Sequence, residues 1–484
     1  MKHYFISGIA FLIILITAVN SVGYYQADEH FQILEFANYK LGNTDAGKLA
    51  WEFKAEIRPA LQPALAVVLI KASSIMEINN PFNQAMLLRL LSGISCFFCL
   101  LFLYRQFFKT NLNLLYYILL FFSFWFVPFV FVRFSSETWS GLFFWLAVGW
   151  YMHFKNKKLK HYFLTGVLLG FSFLFRYQVA FMILGFGLWK LFIQKDKFKY
   201  LLVVASAFLL TFLLGIVVDY WFYGHFVSTA YNYFKVNIID DVASTFGVSP
   251  WWYYLRLVLY HANAPHGILV LLVFFIFIFK NPKHIFTWVC IPFVLIHSAI
   301  PHKEARFLFP LMWCLPVMFL LIMEKLPALA SGKGNNLKRI KRIAVIILIL
   351  NLPLMGIAMF VPANFNIYAI SYLQKEALSK KIMVYYTGRD PANPFGLPVV
   401  FYFNDSKGHF YDSQKINNIN EIDINNENQK IILITNKMIL DKNQHNINLK
   451  TIYESRPWYA VKYFNFNNWV SRSKINCIYE INRD

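Results

Sequence analysis

Charge is scarce in this chain, and acidic charge most of all. Only 15% of its 484 residues are charged, and 25 Asp and Glu stand against 46 Lys and Arg. An ordinary soluble domain runs at about 25% charged and roughly 45–50% apolar residues; here 58% are hydrophobic and 52 are Phe. That composition excludes a disordered chain, which needs high charge and low hydrophobicity. Cysteine is equally thin. There are five, and Cys96, Cys99, Cys290 and Cys314 lie in apolar runs, where the side chain packs as a small hydrophobe. A disulfide scaffold is therefore excluded. Cys96 and Cys99 form a CxxC with no second pair and no nearby histidine cluster, so packing accounts for them better than metal or redox chemistry. The P-loop, the GxGxxG turn and the HExxH helix are all missing, and without a Walker A loop an ATP-driven pump is disfavoured.

What the chain does have is long apolar runs. A spanning helix needs about 20 mostly apolar residues. Runs near 4–22, 84–104, 112–132, 139–153, 162–175, 177–193, 200–221, 266–280, 285–300, 307–324 and 343–361 qualify. The first starts basic at Lys2 but is long and lacks a following A-x-A site, so it reads as an anchor rather than a cleaved signal peptide. The run 61–76 is left out of the spans. It is short, holds Lys71 well inside, and is bracketed by Pro63 and a polar stretch. A lysine at mid-bilayer costs about 2.5–3.5 kcal/mol, so a helix lying in the interface fits better.

The net charge of +21 does not point to nucleic acid, because the cations are scattered along loops between apolar runs. Alternate loops carry them: Lys2; Arg105 and Lys109; Lys155, Lys157, Lys158 and Lys160; Lys195, Lys197 and Lys199; Lys280 and Lys283; and Lys325 with Lys333–Arg342. The positive-inside rule puts these in the cytoplasm. The expectation is about eleven spans, N-terminus inside and C-terminus outside, with residues 1–361 as the membrane part. Outside lie the loop 23–83, short charged turns, an aromatic loop at 222–265 and the tail 362–484. The tail is polar and Asn-rich, with strand-like runs at Lys381–Thr387 and Lys430–Thr435 and a helical run near 368–379. It reads as a small α/β accessory or acceptor-contacting domain.

Ionisable residues gather where the membrane meets the outside face. Asp28 and Glu29 follow the first span. Helical neighbours point about 100° apart, so one acid would face a site while the other caps a helix or holds a cation; an acidic pair also suits a helix N-terminus for dipole reasons alone. Glu52 and Arg58 lie in the same loop, where a salt bridge is the plain account of them. Arg133, Glu137 and Arg176 occupy short turns, and either arginine could simply snorkel to the head groups. Pro301-His302-Lys303-Glu304-Ala305-Arg306-Phe307 is the most informative segment. If a helix starts there, His302 and Arg306 share a face with Lys303 beside them, an arrangement suited to phosphate or pyrophosphate; a charge cap on the next span, with Glu304 neutralising a neighbour, is the plain alternative. Trp251, Trp252 and Tyr253 suit an interfacial aromatic belt or sugar stacking. One acid and several cations facing outward fit a lipid-phosphate sugar donor: the acid deprotonates an acceptor hydroxyl and the cations stabilise the departing phosphate.

The segments resemble, in order, the Alg9/PIG-B-type mannosyltransferases, glycosyltransferase family 22 of the GT-C superfold. They are Asp28-Glu29-His30-Phe31-Gln32 with Glu35; Trp51-Glu52-Phe53 with Arg58; Arg133 and Glu137; Asp219 with Tyr223-Gly224; Phe246-Gly247, Pro250-Trp251 and Tyr253; and His302-Lys303-Glu304-Ala305-Arg306-Phe307, which is similar to the family's HKExRF signature. The resemblance covers residues 1–325. It implies a GT-C fold with interfacial helices in the first outside loop. It also implies a dolichyl- or polyprenyl-phosphate sugar donor, usually of mannose, and an inverting reaction on the lumenal or periplasmic side. By resemblance Asp28 is the base, with Glu29 the second candidate. His302, Lys303 and Arg306, with Arg58 and Arg133, are donor-phosphate contacts. Glu52, Glu137, Arg176, Trp251, Trp252 and Tyr253 are candidate substrate or acceptor contacts. No cofactor or metal is expected, because the cations can take a metal's role. The Phe-, Lys- and Asn-rich composition suggests a bacterial inner-membrane protein acting on a glycan, glycolipid or glycoprotein acceptor. A transporter or flippase of lipid-linked glycans, and a glycan polymerase or ligase, are the competing readings; a transporter would place ionisable groups near the bilayer midplane.

Overall fold

The computed structural model describes residues 2–108, 114–325, 335–377, 381–404, 411–424, 429–442, 447–456, 458–463, 470 and 473–482. Lys109, Lys333 and part of the Asn-rich stretch used above lie outside the described residues. The chain forms two compact units. One comprises Met1–Ser21, Trp51–Val68 and Leu87–Phe360, the other Val22–Ala50, Leu69–Met86 and Val361–Asp484.

The first unit is helical. Among the described residues three helices are long and apolar enough to cross a membrane: Lys2–Asn20, Pro81–Phe107 and Phe198–Tyr223. The shorter apolar helices Leu159–Phe175, Ala264–Lys280 and Ile285–Ala299 stand where spans were expected, as does Ser136–His153. The segment 61–76 is a 15-residue helix, Leu61–Ile75. Two expected spans are not continuous. The run 112–132 divides into Leu114–Phe122 and Phe126–Phe131. The run 307–324 divides into a 3-10 helix, Ala305–Leu311, and an α-helix, Cys314–Glu324, bent by 57°. Proline explains where these pieces begin. Pro128 and Pro316 each lie in the first turn of the second piece, where a missing N–H costs nothing.

A helix broken in a bilayer leaves backbone groups that water cannot reach. Asn351, fully buried in the helix Asn335–Phe360, answers both sides of the first break. Its amide nitrogen donates to the Phe122 carbonyl at 2.7 Å, and its oxygen accepts from the Trp125 N–H at 2.7 Å. Close helix packing relies on small residues, as membrane helices do generally. A Cβ on Gly166 of the Leu159–Phe175 helix would stand 2.3 Å from the Val204 carbonyl oxygen, and one on Gly170 2.5 Å from Thr211 Cβ. Both neighbours lie on Phe198–Tyr223. That helix ends in a left-handed Gly224 cap (φ 82°).

The second unit carries a five-stranded sheet in the order β2-β1-β3-β5-β4. The strands are β1 Ile382–Tyr386, β2 Asp412–Lys415, β3 Lys430–Asn436, β4 Asn448–Glu454 and β5 Asn476–Asn482. β1 runs parallel to β2 and β3, and β5 runs antiparallel to β3 and β4. Alternation along the strands builds two cores. Ile382, Val384, Ile432 and Ile434 face Ala369 and Leu373 of the helix Phe365–Ala377. Tyr385, Ile431 and Leu433 face Ile416, Ile419 and Ile422. The strand runs and the helix expected in the tail are present; β2, β4 and β5 were not foreseen. First-loop residues 22–50 share this unit with the tail.

Candidate functional site

In the helical unit, Ser135 caps the helix Ser136–His153, its hydroxyl accepting the Thr138 N–H at 3.2 Å. The cap fixes Glu137 in the first turn, where the helix dipole favours a carboxylate. Glu137 is 2% exposed and draws in two arginines. Arg176 reaches it at 3.0 Å from the extended C-cap of Leu159–Phe175. It also donates to Ser136 Oγ at 2.9 Å and Gln178 Oε1 at 2.6 Å. Arg306 Nη1 lies 3.4 Å from the same Glu137 oxygen.

The segment around Arg306 departs from expectation. No helix begins at His302; Glu304 is extended (φ −129°, ψ 147°) and the 3-10 helix starts at Ala305. His302 and Arg306 therefore do not meet as successive turns of one helix face. They meet at a carboxylate between them. Arg306 donates to both Glu304 oxygens at 2.8 Å, and His302 Nε2 contacts Glu304 Oε1 at 3.0 Å. Proline at 301 and the backbone contacts of Lys303 hold the chain open here. Lys303 Nζ donates to the carbonyls of Ile300 (2.6 Å) and Ser249 (2.9 Å), and lies 3.5 Å from that of Pro301. The ammonium is thereby turned into its own backbone and the 246–250 loop, and desolvation lowers its pKa.

Both nitrogens of His302 meet acceptors, Glu304 and the Gly247 carbonyl at 3.3 Å. Only the imidazolium donates from both. Accordingly the hydrogen bond to Glu304 raises the His302 pKa, against a smaller opposing effect of burial. Burial alone would raise the Glu304 carboxyl, but the hydrogen bond from His302 and the charge and hydrogen bonds of Arg306 outweigh it and hold the group well below the usual carboxylate range. The result is a linked set of two carboxylates, two guanidiniums and an imidazole.

The other expected residues are spread out. Arg58 lies 3.7 Å from Glu52 and over the Tyr233 ring at 5.9 Å. Arg133 is fully buried and donates to the Ser21 carbonyl at 2.9 Å, with its guanidinium over Phe129. Trp251 and Trp252 are exposed; Tyr253 opens the helix Tyr253–His261. Asp219, singled out only as part of a pattern, proves to be an anchor. It accepts from the Ala60 N–H at 2.7 Å and the Thr229 hydroxyl at 2.6 Å. Tyr223 hydroxyl donates to the Arg58 carbonyl at 2.8 Å. The Asp219–Tyr223 turn thus fixes the backbone that presents Arg58.

In the second unit, Asp28 is half-buried and Glu29 buried, on the short turn Ala27–Glu29. The helix then widens into a π-turn at His30–Leu34 before returning to α at Glu35–Lys40. Such wide turns occur mostly as single insertions and often at functional sites. His30 Nε2 lies 2.8 Å from Glu35 Oε1, both fully buried. Gln178 and Ser136 were not expected as partners, and Glu304 only as the residue neutralising a neighbour in a charge cap. The signal for Glu304 was its position between His302 and Arg306; Gln178 had none.

Residues 7–387 match the Alg9-like mannosyltransferase family. The chain belongs to that family. Among curated relatives, GPI mannosyltransferase 3 of Candida albicans is 25% identical over 60% of this chain and 57% of its own length. GPI mannosyltransferase 3 of Debaryomyces hansenii is 24% identical over 71% of this chain and 62% of its own. The α-1,2-mannosyltransferase ALG9 of Saccharomyces cerevisiae is 36% identical over 22% of this chain and 19% of its own. The matched region thus spans about three fifths or less of these relatives. The crystal structure of ArnT from Cupriavidus metallidurans bound to undecaprenyl phosphate aligns over 99% of this chain and 97% of that one, with a TM-score of 0.52 at 10% identity. The family member described here therefore has the helical, multi-pass membrane GT-C fold with a small C-terminal sheet.

Proposed function

We propose that the protein is an inverting glycosyltransferase that moves mannose from a polyprenyl-phosphate donor to a glycan, glycolipid or glycoprotein acceptor. The observation that carries this reading is the convergence of Arg176 and Arg306 on Glu137, with Glu304 bridging Arg306 and His302. Guanidiniums held in place by carboxylates are already oriented, so a phosphate oxygen meets donors that need little reorganisation. Asp28 takes the acceptor hydroxyl proton as the oxygen attacks the anomeric carbon. The carbon–oxygen bond to the phosphate breaks, the leaving phosphate gathers its charge against the cations, and the anomeric centre inverts. Family membership supports the sugar, and a protein of the same fold crystallised with undecaprenyl phosphate supports the idea that this fold can house such a lipid.

The same reading puts the protein in a bacterial inner membrane with its lysine-bearing loops in the cytoplasm and the site in the periplasm. Residues 1–361 are the catalytic membrane part and 362–484 the accessory part. Sugar transfer in detergent, from polyprenyl-phosphate mannose to a panel of glycan acceptors, tests it. Wild type transfers, with or without chelator. Asp28→Asn loses about two to four orders of magnitude, the usual scale of a general base, and Arg306→Ala is also impaired. Activity in Asp28→Asn equal to wild type would remove the assigned base. Failure of wild type with this and other lipid-phosphate sugars would favour transport of lipid-linked glycans instead.

A further inference from the structure

The first-loop helix that carries Asp28 and Glu29 is held by more than its own contacts. Part of its fastening comes from residues 401–404, some 370 positions later and beyond the last residue, 387, that matches the family. Glu35 Oε1, already 2.8 Å from His30 Nε2, accepts the Phe401 N–H at 2.9 Å. Tyr402 lays its ring parallel to His30, at 5.4 Å and 8° between planes, and stacks on Phe82 at 4.6 Å as well. Tyr24 stacks on His30 as well, at 5.4 Å. Asn404 donates to Asn38 Oδ1 at 2.6 Å. His30, Glu35, Asn38, Phe401 and Tyr402 are all at most 2% exposed.

Two kinds of contact are combined here, and each does something different. The hydrogen bond from the Phe401 N–H to the buried Glu35 carboxylate is directional, so it sets the rotation of the helix about its axis. The ring stack is broad and fills space, so it sets the depth at which the helix sits. His30 follows Asp28 by two residues and begins the wide turn. The wide turn thus lies between the acids and Glu35.

We propose that Tyr402, with Phe401 and Asn404, positions the Asp28-Glu29 pair by fixing His30, Glu35 and Asn38. Tyr402 is a positioning residue, acting through His30 rather than on substrate. The inference rests on the functional reading above, in which Asp28 is the base. It also gives the tail a part in catalysis, whatever it does for the acceptor.

The test uses the full chain in detergent and two measurements. The first is kcat and donor KM with polyprenyl-phosphate mannose. The second is deuterium uptake along the chain. In Tyr402→Ala we expect kcat to fall at least tenfold, donor KM to stay within twofold, and uptake to rise over 27–38 and 401–404 alone. Tyr402→Phe keeps the ring and recovers most of the turnover. Asn404→Ala, which removes one hydrogen bond and leaves the stack, moves kcat and uptake in the same direction by less, and it serves if Tyr402→Ala fails to fold. Wild-type transfer with unchanged kcat in Tyr402→Ala, or in Asn404→Ala where only that variant folds, would overturn the inference and leave the functional reading intact. So would a uniform rise in uptake with kcat and KM changing together. Absence of transfer by wild type, with Asp28→Asn no different, would count against the functional reading itself.

Discussion

Glu304 holds Arg306 and His302 on one carboxylate, and its chemistry can be followed by pH. Its pKa is held below the ordinary 4.5, so the stability it adds is present above that value and is lost as pH falls through the folded-state value. His302 runs the other way. Its pKa is raised above 6.5, so its contribution is complete below that pH and is lost as pH rises through the folded-state value. The melting-temperature difference between wild type and His302→Gln should therefore be largest near pH 6 and should shrink toward pH 9. A difference that grows with pH would reverse the assignment. Glu304→Gln keeps the shape and removes the charge, leaving the Arg306 fork half-answered; about 1–3 kcal/mol of stability should go, measured by denaturant unfolding at neutral pH. The sequence made His302, Lys303 and Arg306 conspicuous but not their arrangement. A helix would have aligned the first and last; the extended backbone at Glu304 brought all the polarity to the residue between them, and Lys303 was drawn onto carbonyls. Arg133 was legible as a charge near the membrane, and its tie to Ser21 was not, since nothing local announces a partner 112 residues away.

At the scale of elements, hydropathy recovered the positions of most helices because an apolar run of the right length has few other uses. It failed where continuity depends on something outside the run. The break at Ser123–Trp125 is answered by Asn351, 226 residues on from Trp125. Asn351→Leu should leave the Phe122 carbonyl and the Trp125 N–H without partners in a place water cannot enter. A loss of about 2 kcal/mol or more in unfolding from detergent follows, and Asn351→Ala should do no better, since neither side chain can bond. Near-wild-type stability in both would mean the break has other support. The tail strands divide on similar lines. β1 and β3 are apolar on one or both faces and read plainly. β2 is Asp-Ser-Gln-Lys, exposed throughout, and is a strand only because β1 offers an edge.

For the whole molecule, the distribution of 46 cations is the strongest statement the sequence makes about orientation. All five native cysteines are buried, so an introduced one reports cleanly. Lys158→Cys should resist a membrane-impermeant thiol reagent in intact cells and react once the membrane is opened. Ser413→Cys, on an exposed strand residue, should react in both once any outer barrier is permeabilised. Equal protection of the two would invert or fold back the expected topology. The grouping of residues 22–50 and 69–86 with the tail was beyond the sequence. Composition changes sharply at 362, and a boundary between the units falls beside it, at Phe360 and Val361; the tail's unit nonetheless takes in those two earlier segments, because folding joins what is complementary rather than what is contiguous.

The wide turn at His30–Leu34 works like a washer under a bolt head. It takes up one residue that an ordinary helix would have no room for, and every side chain after it is turned by about 100° relative to those before. Losing a single amino acid from that stretch would let the helix relax into regular winding, leave each neighbouring side chain chemically intact, and aim the acids and Glu35 in directions that no longer correspond. Beyond His30, substitutions there can be tolerated; a change of length cannot. Natural variants of this chain should therefore vary in letter across 31–34 and never in count.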